Sequence, residues 1–161
     1  MVVSGKLVDI IERNADELTK KWMELVRKHP GTQTYRKYDE RKLYHRAFSV
    51  YSQLGKWLSA DTTKEDIKIQ YTALGAQRYT EGFLLSEVIQ ALVITRRLLW
   101  FKVLSDGLLD TALDLSAALD LNNAVIVFFD RAIYFATAGF ETAASLDDVS
   151  DIKRDMTAAS S

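Results

Sequence analysis

The scarcity of helix breakers constrains this chain more than any other feature. Its 161 residues include one proline, Pro30, and seven glycines. Proline removes a backbone donor and clashes with the preceding turn, and glycine gives up backbone entropy. Long intervals without either therefore let helices run. Within those intervals apolar residues recur at steps of three and four, with little of the strict alternation that suits a half-buried strand. The fold class predicted is all-α, a bundle of about five to six helices.

The first helix is expected over 5–28, capped by Ser4 and ended by Pro30-Gly31, with Leu7, Ile10, Ile11, Ala15, Leu18, Trp22, Leu25 and Val26 as one apolar stripe. A second, over 39–59, starts at Asp39 and carries Leu43, Ala47, Val50, Tyr51, Leu54, Trp57 and Leu58. A third opens at Thr62 or Thr63, where Thr63 and Asp66 approximate a capping box, and stops at Gly82, a candidate left-handed C′ residue. The fourth, over 85–104, is apolar nearly all round and must be covered on more than one side. Its second stripe includes Val93, Leu98 and Phe101. After Asp106-Gly107 a short helix is expected over 110–119 and a long one over 120–144, the latter carrying Phe128 and Phe135. These five residues (Val93, Leu98, Phe101, Phe128, Phe135) are the candidate dimer or helix-packing surface. Residues 1–144 read as a single helical domain and 145–161 as a polar tail or linker. In that tail Leu146, Val149, Ile152 and Met156 are spaced three, three and four apart, the pattern of a continuing helix.

Several function classes are disfavoured. Twenty-one basic residues against 22 acidic ones give a net charge of −1, which supplies no field for nucleic acid or an anionic membrane. Without cysteine there is no disulfide, thiolate zinc site or cysteine nucleophile. The first residues lack a signal-peptide hydrophobic stretch. The apolar run over 83–104 contains Glu87, Gln90, Arg96, Arg97 and Lys102. Such charges cost about 2.5–3.5 kcal/mol each at a bilayer centre, so the run reads as a helix buried in protein and the chain as cytoplasmic. Neither Gly-x-x-x-x-Gly-Lys, Gly-x-Gly-x-x-Gly nor Gly-x-Ser-x-Gly occurs. The histidines, His29 and His45, form no metal-ligand pair. An axial haem ligand would have to come from His45, one position off an apolar stripe. No catalytic residue, metal or cofactor is assigned.

What stands out chemically is a set of charges in apolar surroundings: Arg78, Glu87, Arg96, Asp130 and Arg131. Buried charges must be paired. The set is expected either to form internal ion pairs that fix helix register or to line a small anionic-ligand site, with Ser86 and the start of the fourth helix at its anion end.

The stretch Leu74-Gly-Ala-Gln-Arg-Tyr-Thr-Glu-Gly-Phe-Leu-Leu-Ser-Glu-Val-Ile-Gln-Ala-Leu92, running on to Arg96-Arg97-Leu98, resembles the N-terminal domain of RsbT co-antagonist proteins, the sensory half of stressosome components. Phe128-Phe-Asp-Arg-Ala-Ile-Tyr134, followed by Gly139-Phe140-Glu141, is a second match, and the resemblance covers about 7–141. It implies a globin-like fold without haem, a homodimer, and a place ahead of an effector such as a STAS domain or a histidine kinase. No effector region follows within this sequence, so the effector is expected in a further region or a separate protein. The functional expectation is a non-catalytic sensory input domain of bacterial stress-response or two-component signalling. The alternative is a haem- or small-ligand-binding globin-type sensor.

Overall fold

The computed structural model describes residues 3–107 and 109–160. Its elements are α1 (Gly5–Arg13), α2 (Ala15–Lys28), a 3-10 turn (Gln33–Arg36), α3 (Glu40–Ser52), α4 (Leu54–Leu58), α5 (Lys64–Thr80), α6 (Leu85–Asp106) and α7 (Ala112–Ala159). Among the described residues there is no strand, and the chain is an all-α bundle around one continuous apolar core.

Local chemistry sets the boundaries. Ser4 Oγ accepts from Leu7 N to cap α1. The Thr63 box forms in full: Thr63 Oγ1 accepts from Asp66 N at 3.1 Å, and Asp66 Oδ2 accepts from Thr63 N at 2.8 Å. Thr111 and Asp114 build the same box on α7. Gly82 ends the α5 corner with φ +90°, a conformation in which a side chain is strained.

Four expected helices are divided differently. The helix over 5–28 breaks at Asn14, whose backbone leaves helical geometry (φ −103°, ψ 19°) and whose Nδ2 donates back to Ile10 O at 2.7 Å. The helix over 39–59 breaks at Gln53 (φ −116°, ψ 21°), and Gly55 N then donates to Glu12 Oε1 at 2.8 Å, tying α4 to α1. Conversely, the two helices expected over 110–144 and the tail are one helix of 48 residues, about 72 Å long. No proline or internal cap interrupts it, and small residues such as Ala117, Ala118, Ala143 and Ala144 favour continuation.

α5 and α7 pack along each other most closely. A Cβ on Gly75 would lie 1.9 Å from Ala136 O, and one on Gly139 would lie 2.1 Å from Thr72 O. Glycine at both positions is what lets the backbones touch. Around this seam Tyr71 packs edge-on to Phe128, and Phe128 to Phe129. On the other side of the core, Trp22 Nε1 donates to Ala91 O at 3.2 Å and Tyr51 Oη to Thr95 O at 3.0 Å, so α2 and α3 are pinned to α6.

Candidate functional site

Arg78 sits on the last turn of α5, 7% exposed. Its bonds run through Nη1, to Glu81 Oε1 at 3.0 Å and Gln77 Oε1 at 3.1 Å. Glu81, just beyond the helix end, also receives both terminal nitrogens of Arg46 from α3, at 3.0 and 2.5 Å, and the Tyr38 hydroxyl. The Arg46 guanidinium also stacks 5.1 Å above the Tyr38 ring. Two guanidinium groups therefore share one carboxylate. Burial, together with the neighbouring Arg46 charge, lowers the Arg78 pKa from its ordinary value, while Glu81 and Tyr35 oppose that.

Glu87 is 3% exposed but joins no ion pair among the described residues. Its carboxylate accepts from Thr34 N at 2.7 Å, Thr34 Oγ1 at 2.6 Å and Leu84 N at 3.2 Å. The start of α6, expected to receive an external anion beside Ser86, is thus capped by the chain's own Glu87. Ser86 itself is exposed.

Beside the Arg46–Glu81–Arg78 cluster lies a cavity of about 60 Å³. Its walls are mostly apolar, from Trp22, Leu43, Ala47, Val50, Leu74, Val88, Ala91 and Leu92, with Arg46, Arg78, Tyr35, Tyr71 and Thr95 supplying the polar groups. A cleft of about 420 Å³ between α3 and α5 adjoins it, sharing Arg46, Val50, Tyr71, Leu74 and Arg78 and adding a polar rim that includes His45, Gln53, Lys56 and Gln77. His45 is exposed on that rim. His29 lies elsewhere, its Nδ1 accepting from Gly31 N. Among the described residues no group of three or more His, Asp or Glu could hold a metal ion.

Of the charged set singled out in the sequence, the structure buries Arg78 and Glu87 but in separate networks. Arg96 and Arg131 are half-buried, and Asp130 is exposed. None of these three forms a side-chain hydrogen bond or ion pair among the described residues, so they are not a buried network. On a helix packed along only part of its circumference, an interruption of the apolar sequence marks the outer face. Sequence reasoning missed Glu81, Arg46, Tyr38, Tyr35 and Tyr71. The one available signal was the i,i+3 spacing of Arg78 and Glu81 across a helix end.

Phe128, Phe135 and Leu98 belong to the core of this chain, Val93 is half-buried, and Phe101 is 55% exposed. The uncovered apolar surface lies instead along α7 (Leu115, Leu119, Ile126, Val127 and Tyr134), with Phe101 and Leu104 of α6 also uncovered. By length and composition α7 could cross a membrane: its most apolar 18-residue stretch has a mean hydropathy of 1.4, and 28% of that stretch is buried. Beyond the bundle, residues 145–159 are exposed throughout. Tyr79 Oη donates to Asp147 Oδ2 at 2.7 Å at the root of this projection.

No protein-family model, no curated protein and no solved structure matches this chain.

Proposed function

We propose that this chain is a non-catalytic sensory or regulatory input domain of a bacterial stress-response or two-component signalling protein. It works as a cytoplasmic homodimer with a globin-like arrangement of helices, and it relays its signal through α7 to an effector such as a STAS domain or a histidine kinase. The resemblance to RsbT co-antagonist N-terminal domains supports the signalling assignment. The observation that carries the dimer is the uncovered apolar surface of α7, whose Leu119, Ile126, Val127 and Tyr134 are 51, 37, 47 and 68% exposed.

A run of large apolar side chains this long on one helix marks an interaction surface. A second copy is the simplest occupant, because a two-fold axis beside α7 pairs the same surface with itself. It would also bring the projecting ends together. There Leu146, Val149, Ile152 and Met156 lie within about 120° of arc on the helix surface, the placement needed for two parallel helices to meet.

The test is size-exclusion chromatography with light scattering on the parent chain and on Ile126→Glu, with circular dichroism as the folding control. The parent should run as a dimer at tens of micromolar, and Ile126→Glu as a folded monomer. A strictly monomeric parent removes the proposal. Recovery of the parent only in detergent would assign the same surface to lipid instead.

A further inference from the structure

The cavity beside Arg78 carries more polar donors than the protein itself satisfies. Arg78 uses only Nη1, so Nε and Nη2 have no partner among the described residues. The hydroxyls of Tyr35 and Tyr71, on side chains 3 and 2% exposed, likewise form no hydrogen bond there. Burial pushes both phenols upward in pKa, so they remain protonated donors. Fully enclosed side-chain atoms without a partner are limited, among the described residues, to Arg27 Nε and Thr137 Oγ1. The free atoms of Arg78, Tyr35 and Tyr71 are therefore not fully enclosed by protein; all three residues line the cavity, and Arg78 and Tyr71 also line the cleft that adjoins it.

A buried polar group left unpaired costs stability, and a buried charge costs more. The charge count points the same way. Arg46 and Arg78 face one carboxylate, Glu81, because Glu87 is held by Thr34 and the start of α6. A ligand for this site should bring negative charge and acceptor oxygens to the arginine end. The remaining walls are hydrocarbon, so the rest of the ligand should be apolar.

We infer that the cavity binds a short linear monocarboxylate, its carboxylate on Arg78 and the tyrosine hydroxyls and its alkyl tail among Leu43, Ala47, Val88 and Leu92. Size fixes the length. A water-sized group needs about 10–15 Å³ of cavity, so a cavity of about 60 Å³ takes about four to six heavy atoms, the carboxylate included. Butyrate fills that range, propionate falls within it and acetate sits at its lower edge. The shared cleft between α3 and α5 supplies the route in. This site stands on the cavity alone and does not depend on the chain being a dimer.

The experiment titrates the full chain with formate, acetate, propionate, butyrate and hexanoate in chloride-free buffer, read by Trp22 fluorescence and isothermal calorimetry. Propanol, chloride and nitrate serve as controls. Affinity should rise about fourfold per added methylene up to butyrate and then stop rising. Binding should be lost in Arg78→Gln and in Ala47→Leu, which fills the void. Because Arg78→Gln can unfold the end of α5, Ala47→Leu is the decisive variant: it adds only hydrocarbon, and its folding is checked by circular dichroism. The inference is overturned by no saturable binding of any carboxylate, by propanol binding as well as propionate, by chloride or nitrate binding more tightly, or by undiminished binding in folded Ala47→Leu. Each of these leaves the oligomeric state, measured separately, untouched.

Discussion

The seam between α5 and α7 makes the sharpest quantitative prediction. Substituting Gly75→Ala places a methyl 1.9 Å from Ala136 O, 2.7 Å from Ala136 C and 2.9 Å from Phe140 N. All three are backbone atoms, so no rotamer change relieves the clash. Ordinary contact lies near 3.4 Å, which asks the helices to part by more than an ångström. A gap of about 0.5–1 Å already forfeits a quarter to a half of each dispersion contact, and the contacts at risk include Tyr71 on Phe128. Better helix propensity returns at most about 1 kcal/mol. The net loss should reach the upper end of the overpacking range, about 3 kcal/mol, equivalent to about 6–12 °C in Tm for a chain of this size. Gly139→Ala, aimed at Thr72 O from the other side, should cost about as much. The double variant should cost less than the sum, because one separation relieves both clashes. Gly5→Ala, with nothing within 4 Å of its new methyl, is the control and should melt at or slightly above the parent. Thermal melts by circular dichroism decide the matter: Gly75→Ala melting within a degree or two of Gly5→Ala would refute a backbone-to-backbone crossing.

Two further predictions concern the carboxylates of Glu87, which is buried, and Glu81, which is half-buried. Glu87→Gln turns one of the acceptor oxygens that hold Thr34 and Leu84 N into a donor facing donors, and should lower stability by about 2 kcal/mol in urea unfolding at neutral pH; an unchanged midpoint would show that the turn at Gln33–Arg36 is held by other contacts. Glu81 is held below its usual 4.5, since the bonds from Arg46 and Tyr38 and the arginine charges outweigh the upward push of burial. A depressed folded-state pKa adds stability that is full above the unfolded value and lost as pH falls through the folded value. Glu81→Gln should therefore be less stable than the parent at neutral pH and converge with it as the pH falls below the ordinary glutamate range; a gap that persists undiminished in acid would mean the carboxylate's charge contributes nothing.

Helices were legible in this sequence because their signals are local. Thr63 with Asp66 and Gly82 at the corner act within a few residues, and the structure realises both. The breaks at Asn14 and Gln53 were not legible, because what fixes the second is distant: Gly55 N finds Glu12 43 positions away. The continuity of α7 was obscured for the opposite reason. Its change from apolar to polar after Ala144 reflects loss of neighbours, not of helix. The charged set shows the same limit. A charge within an apolar run identifies an outer face (Asp130) as readily as an inner one (Arg78), and sequence spacing alone does not separate them. The partners that define the cluster, Arg46 and Tyr38, lie 35 and 43 positions from Glu81.

α5 is where the cavity and the apolar seam meet. Tyr71, Leu74 and Arg78 line the cavity, while Thr72 and Gly75, on the adjoining face of the same helix, hold the backbone of α7. Flexible side chains usually absorb a small shift between packed helices. At this crossing the contacts are carbonyl against glycine, with nothing to absorb it, so a displacement of α5 is passed to α7. Tyr79 repeats the connection one turn later, its ring on Phe140 and its hydroxyl on Asp147. From there α7 continues outward for about 20 Å. Occupation of the cavity can move this projection only by as much as the ligand prefers one position of α5 over another. Relaxing the crossing should therefore uncouple the two ends without abolishing binding: in Gly139→Ala the cavity keeps every lining residue, but a shift of α5 no longer drives α7 through direct backbone contact. A spin-label pair on Ser145 and Asp61 reads that difference. If ligand moves the label distance equally in the parent and in Gly139→Ala, the glycine seam is packing alone and transmits nothing.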